Sequence, residues 1–442
     1  MSGVVLLLQE LIRNRCVNDG TPESGHEHRS VATLADYLGE SGTVIEPAPG
    51  RQSVVYRIPG TSPAAPNLLM VPHLDVVPAN PAGWSVDPFA AEINDGMVWG
   101  RGAVDMLNVT AAMTVVFGRF LTGALPPLPG DLILAAVADE EAGSAFGAKF
   151  LTEEHWDLVA SRYVLTEVAY PSLSTPAGPA YPVTVGEKGP HWTVLRAKGT
   201  PGHGSAPFMT DNALETLTAA LAGVFGASSP ISITEEWRDF IDVAGLSDEL
   251  TDPDRVDAAL TELASVDPRL ARFAHASTHL TVSPNMMKAG VKANVIPDHA
   301  EASVDIRALP GTGRGDVELH LRKAMAEAGD RVEVVPVSDH PANVSNRDNP
   351  LWSAIAQTIE EQTGSRRIIP TITPVATDGR FWRDRGGVAY GVGLFDDRIG
   401  FSEFTGLFHG NDERVSVDSL NRTVDLLSGI IERFGELTRL NA

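Results

Sequence analysis

Cysteine is almost absent from this 442-residue chain: Cys16 stands alone, so no internal disulfide can form. That fits a reducing, cytoplasmic setting in which thiols stay free. Positive charge is scarce as well, with 34 Lys and Arg against 57 Asp and Glu and a net charge of −23. Nucleic acid and anionic membrane surfaces both demand clustered cations, so neither is expected as a partner. The brief apolar run Val4-Val5-Leu6-Leu7-Leu8 is interrupted by Gln9, Glu10 and Arg13 and has no basic residue before it. It reads as an amphipathic first helix, not as a secretory leader or a membrane span. Internal repeats and low-complexity tracts are lacking. So are a Gly-x-Ser-x-Gly elbow, a His-Glu-x-x-His helix and a Walker-type phosphate loop. Cys16 falls in a predicted helix far from every histidine motif, which argues against a thiol nucleophile.

Hydrophobic content of 43% and charged content of 21% are ordinary for a soluble globular protein. The length exceeds one core of about 100–200 residues, so two domains are expected, side by side or one set inside the other. Leu7, Leu8, Leu11 and Ile12 share a helical face, a second helix is predicted near Val31–Leu38, and Val44–Ile58 reads as extended pieces. A short apolar strand then ends in His73-Leu74-Asp75. The loop Gly100-Arg101-Gly102-Ala103-Val104-Asp105 runs into a helical pattern to Leu121, whose positive end favours an ionised Asp105. A strand over Leu132–Val137 is followed by Asp139-Glu140-Glu141, and another over Tyr163–Thr166 by Glu167.

Three strands therefore finish on imidazole or carboxylate, and ligands in open α/β sheets sit beyond the carboxyl ends of strands. Asp75 can return to the second nitrogen of His73, as around a bound metal. His409, in the late segment Leu407-Phe408-His409-Gly410, completes a set with His73, Asp105, Glu141 and Glu167. Two imidazoles and three carboxylates suit zinc, with cobalt or manganese possible. Five donors are too many for one tetrahedral ion with an open position; they suit two ions about 3.5–4 Å apart bridged by one carboxylate. Asp105, alone on its own loop, is the natural bridge.

From Gly186 the pattern changes to strand, Gly-rich loop (Gly202-His203-Gly204-Ser205), helix, a charged stretch over 228–275, and two strands near Thr278–Val282 and Ala300–Arg307. That order predicts a small antiparallel α+β domain over residues 186–308. Helix and strand alternate again after Gly311, with helices at Val317–Ala328, Leu351–Gln362 and Val417–Leu437. The fold class is thus α/β: a doubly wound, mostly parallel-sheet catalytic domain over 1–185 and 309–442, with an inserted α+β domain.

These motifs, in this order, resemble the M20 metallopeptidases, the group of aminoacylases, glutamate carboxypeptidases, succinyl-diaminopimelate desuccinylase and acetylornithine deacetylase. Pro72-His73-Leu74-Asp75, Gly100 to Met106, Ala138-Asp139-Glu140-Glu141, Gly202 to Ser205, Ala293-Asn294-Val295-Ile296-Pro297 and His409 all match. Leu107-Asn108 stands where the family usually has Lys-Gly, and Pro72 where glycine is commoner; neither removes a ligand. The resemblance implies that His73 and Glu167 bind one zinc, Glu141 and His409 the other, and that Asp105 bridges. Asp75 would orient His73, and Glu140 would be the general base for a metal-activated water attacking an amide beside a free carboxylate. The inserted domain would be a ferredoxin-like lid joining a homodimer, with His203 reaching the partner subunit's site to stabilise an oxyanion. Asn294, Arg307 and Arg380 would bind substrate; Lys188, Thr377 and Asp378 are further candidates. Trp84 and Trp99 are expected to pack under the loop, and Phe208 and Met209 could form an apolar substrate wall. The alternatives are a dipeptidase or carboxypeptidase of the same family and a non-catalytic binding protein on the same fold.

Overall fold

The computed structural model describes residues 2–439; Met1 and residues 440–442, the outer limits of the expected catalytic domain, lie outside them. A 10-stranded sheet forms the backbone of the larger part. At its centre Leu68–Met70 pairs in parallel with both Leu132–Ala136 and Tyr163–Thr166, and Val388–Gly391 pairs in parallel with Tyr163–Thr166. Alternate side chains of these strands enter two cores, as a period of two requires. Leu68, Met70, Leu132 and Leu134 face the core that holds the N-terminal, Leu107–Leu121, Pro350–Thr363 and Val417–Arg439 helices. Leu69, Val71, Ile133 and Ala135 face a smaller core closed by Ala148, Leu151 and Trp382. Layers on both faces leave only the carboxyl ends of the strands open for chemistry. Towards the margins antiparallel pairs appear: Arg51–Ile58 against Leu132–Ala136 on one side, and Val388–Gly391 against Gly178–Glu187 on the other. The sheet is therefore mixed, and Ile368–Thr373 again runs parallel to Gly178–Glu187 on that second side.

Individual elements follow their local signals. Helix Pro350–Thr363 starts where the Asn349 side chain accepts the N–H groups of Leu351 and Trp352, has Pro350 in its first turn, and stops at Gly364 in the left-handed region. Helix Leu107–Leu121 is apolar on nearly every face and is buried accordingly.

The smaller unit is a β-α-β-β-α-β arrangement. Its strands lie in the order Val332–Pro336, Thr193–Lys198, His299–Ala308, Thr281–Ala289, all antiparallel. Helices Ala213–Gly226 and Arg314–Met325 pack Leu217, Leu221, Val317 and Leu321 into its core. The limits expected from sequence, 186 and 308, need correction at both levels. Helix Arg314–Met325 and strand Val332–Pro336 belong to the small core, because their apolar faces meet Ala220 and Leu195. Conversely, the helices at Glu235–Ala244, Val256–Val266 and Pro268–Thr278 lie within the expected insertion but bury Trp237, Phe240, Leu260 and Phe273 in the large core.

Candidate metal centre

The central parallel strands deliver their terminal residues to one rim. His73 follows Leu68–Met70, Glu140 and Glu141 follow Leu132–Ala136, and Glu167 follows Tyr163–Thr166. His73 Nε2 lies 3.3 Å from Asp105 Oδ1 and 3.7 Å from Glu167 Oε2. His409 Nε2 lies 3.3 Å from Asp105 Oδ2 and 3.0 Å from Glu141 Oε2. Two groups of donors result, His73–Asp105–Glu167 and Asp105–Glu141–His409, each with its ligand atoms within 4.8 Å of one another. Asp105 belongs to both. The five residues singled out in the sequence thus meet at one point.

Each is held by its surroundings. The Nδ1 of His73 is 3.0 Å from the backbone carbonyl of Asp75, which can only accept, so Nδ1 donates there and Nε2 is the nitrogen that faces the carboxylates. The Asp75 carboxylate is farther from that ring, at 3.6 Å, and instead accepts the N–H groups of Glu140 and Glu141 at 3.2 Å each. Its orienting action therefore falls on the glutamate turn at least as much as on His73. That turn opens with Asp139 at φ 67°, a conformation its short side chain tolerates. Gly147 lets the chain pass: a Cβ there would lie 1.7 Å from the Ala138 carbonyl oxygen. The Asp105 loop is shaped by a residue no motif singled out. Glu413, fully buried, accepts Arg101 Nη1 at 2.8 Å and the backbone N–H groups of Gly102, Val104 and Asp105 at 3.0, 2.6 and 2.9 Å. Only its place four residues after His409 hints at it.

The electrostatics suit cations. Burial works against a charged His73, but the Asp105 and Glu167 carboxylates outweigh it and hold the ring well above its usual range. Burial likewise opposes charge on His409, yet its bonds to Asp105 and Glu141 lift it to about 10. Asp105 is held low by the two imidazoles despite its burial. Burial pushes Glu167 up to about 7, and burial followed by the Glu167 charge pushes Glu140 well above the carboxylate range. So many buried acids need positive charge among them, supplied by protons or by metal. Glu141 Oε1 is buried with no hydrogen-bond partner among the described residues, as a ligand oxygen facing a cation would be. The donor set fits a pair of divalent ions.

The other predicted residues divide. Glu140 stands beside the ligands without joining either donor group. Asp378 donates its N–H to Glu167 Oε1 at 3.4 Å and accepts Ser144 Oγ at 2.5 Å. Arg380 is buried next to it, donating to the Thr377 carbonyl and to Ser144 Oγ. Thr377 is held in turn by Glu187, which accepts its N–H and hydroxyl. Lys188 is spent on the carbonyls of Ala276 and His279, and burial pushes it down to about 7. His203 lies on a two-stranded ribbon with Val295–Ile296, its Nδ1 2.8 Å from Ser205 Oγ, exposed and in no contact with the ligands among the described residues. Asn294 is exposed beside it, its carbonyl accepting the Gly204 N–H. Arg307 is paired with Asp305 at 2.8 Å and stacked on Trp192. Trp84 and Trp99 pack under Arg101 and Arg414. Phe208 and Met209 are 87% and 90% exposed. They form no wall at this rim, because the small domain carries them out to solvent.

The model of peptidase family M20/M25/M40 matches residues 69–433. The chain belongs to that family. This M20 protein is 28% identical to mouse (Mus musculus) aminoacylase-1 over 99% of its own length and 96% of the relative's. Its fold is similar to a metallo-carboxypeptidase of that family from Sulfolobus solfataricus, with a TM-score of 0.74, 18% identity and coverage of 99% and 100% of the two chains. Human carnosine dipeptidase 1 is similar too, with a TM-score of 0.72, 17% identity and coverage of 98% and 97%. The M20 chain is a hydrolytic enzyme, and no described helix is long and apolar enough to cross a membrane.

Proposed function

We propose that this M20 enzyme is a two-metal amidohydrolase that removes the acyl group from N-acyl amino acids. The observation that carries the reading is the pair of donor groups sharing Asp105, with Glu140 beside them. The full-length likeness to aminoacylase-1 supports the choice of substrate. His73 and Glu167 hold one cation, Glu141 and His409 the other, and Asp105 is common to both. Zinc is the expected ion, with cobalt and manganese as substitutes. Bound there, the pair supplies Lewis acidity to the scissile carbonyl and makes water nucleophilic near neutral pH. Glu140 takes the proton of the attacking water and passes it to the leaving amine. Asp75 fixes both glutamates through their N–H groups.

Arg380 from the large domain, with Asn294 and Arg307 from the small one, would hold the substrate carboxylate. The small domain acts as a lid and joins a homodimer, in which His203 stabilises the oxyanion in the partner subunit. A cytoplasmic location is in keeping with a buried, free Cys16.

The test is chelator treatment and zinc add-back, assayed on N-acetyl amino acids beside dipeptides with free α-amino groups. Zinc-restored hydrolysis that prefers the acyl amino acids is expected. Preference for dipeptides would make the enzyme a dipeptidase, and no zinc-restored activity on either would remove the amidohydrolase reading.

A further inference from the structure

Behind the glutamate turn lies a buried charge network that the reaction as described does not use. Arg51 is 1% exposed and forks onto two acids. Its Nε and Nη2 reach the Glu27 carboxylate at 3.0 and 2.9 Å, and Nη2 also reaches Asp139 Oδ1 at 2.7 Å. Asp139 is the residue before Glu140. Its Oδ2 accepts the Phe146 N–H at 3.0 Å, and Phe146 places its ring over the guanidinium. Asn18 completes the chain: its Nδ2 donates to Asp139 Oδ1 at 3.1 Å and to Asp75 Oδ2 at 2.9 Å. Asp75 then accepts the N–H groups of Glu140 and Glu141. Glu27, Asn18, Asp75 and Asp139 are all buried. Arg51, Glu27 and Asn18 come from chain segments before the stretch that matches the family model, and no sequence motif marks them.

A buried Arg–Glu pair alone is weak evidence for anything beyond packing. Here the network ends on both acids that touch the glutamate turn, Asp139 by peptide linkage and Asp75 by two hydrogen bonds. Two carboxylates, Glu27 and Asp139, meet the fixed fork of one guanidinium at once, and a third, Asp75, joins through Asn18; a lysine has no such fork. We propose that Arg51, working through Glu27, Asp139, Asn18 and Asp75, is the positioning residue that sets Glu140 and Glu141 at the metal centre. The inference rests on the two-metal hydrolase reading. It also makes a graded claim: the Glu141–His409 cation, whose ligand sits on the glutamate turn, depends on Arg51 more than the His73–Glu167 cation does.

The test uses Arg51→Lys and Asn18→Ala in the full-length protein, stripped of metal and titrated with cobalt while visible absorption and thermal midpoint are followed. Removal of a group supporting metal ligands costs about 10–100-fold in affinity or activity. In both variants one cobalt equivalent is expected to lose affinity by that factor while the other changes far less, with kcat on an N-acyl amino acid falling and KM steady. Two unaltered cobalt equivalents with unaltered kcat would overturn the proposal. So would equal weakening of both equivalents in step with a lowered thermal midpoint, the mark of a purely structural role. If Arg51→Lys does not fold, Asn18→Ala decides, since it cuts the link to Asp75 and leaves the Arg51–Glu27 pair whole. Wild-type protein that binds two cobalt ions yet hydrolyses no amide would sink the functional reading and leave the cobalt comparison standing.

Discussion

The metal rim of the large sheet and the surface of the small domain differ in how their polar residues are held. At the rim, nearly every group has partners in its own chain: Asp105 between two imidazoles, Glu413 with four donors, Asp75 with the glutamate turn. On the small domain, His203 and Asn294 face solvent and Arg307 is tied to Asp305. A cation site rich in like-charged carboxylates needs its donors held by partners of the same fold, because they repel one another until positive charge sits among them. A group that meets the substrate gains its partner only when substrate or a second subunit comes. The contrast is between residues that build the centre and those proposed to serve it.

Glu140 gives the sharpest probe. Glu140→Ala is expected to keep both metals and lose about 10²–10⁴-fold in kcat, checked by metal analysis beside steady-state kinetics. Loss of metal in that variant would put Glu140 among the builders. His203→Ala should lower kcat by about 10²–10³-fold with metal content untouched. Mixing it with the Glu140 variant should restore part of the activity; no recovery would confine His203 to its own chain or to no role. Acid offers a third probe. Glu167 near 7 and His409 near 10 must give up protons to bind metal, so affinity should fall as pH drops below about 10 and more steeply below about 7. The slope should be about tenfold per pH unit for each proton displaced, read by calorimetric titration at several pH values. A flat profile would break the ligand assignment. The smallest effect is expected at Phe208→Ser, where exposure predicts a stability change within about 0.5 kcal/mol by denaturant unfolding.

Much of the rim was legible in the sequence because strand ends in an α/β sheet have a fixed destination. An acid or imidazole placed just after an apolar run, as in His73, Glu141 and Glu167, is committed to that edge. His409 and Asp105 came from resemblance and loop position together. Membership of the two cores was not legible. Helix Arg314–Met325 and helix Glu235–Ala244 both show an amphipathic face, and such a face does not say which core receives it. Glu413, Arg51 and Glu27 were missed for a related reason: a buried charge looks like a surface charge until its partners are known, and those partners lie up to 312 residues away.

The account stands or falls on where cations bind. Anomalous diffraction at the zinc edge from zinc-loaded crystals should show two peaks about 3.5–4 Å apart, with the Asp105 carboxylate between them. One peak, or peaks away from His73 and His409, would contradict it.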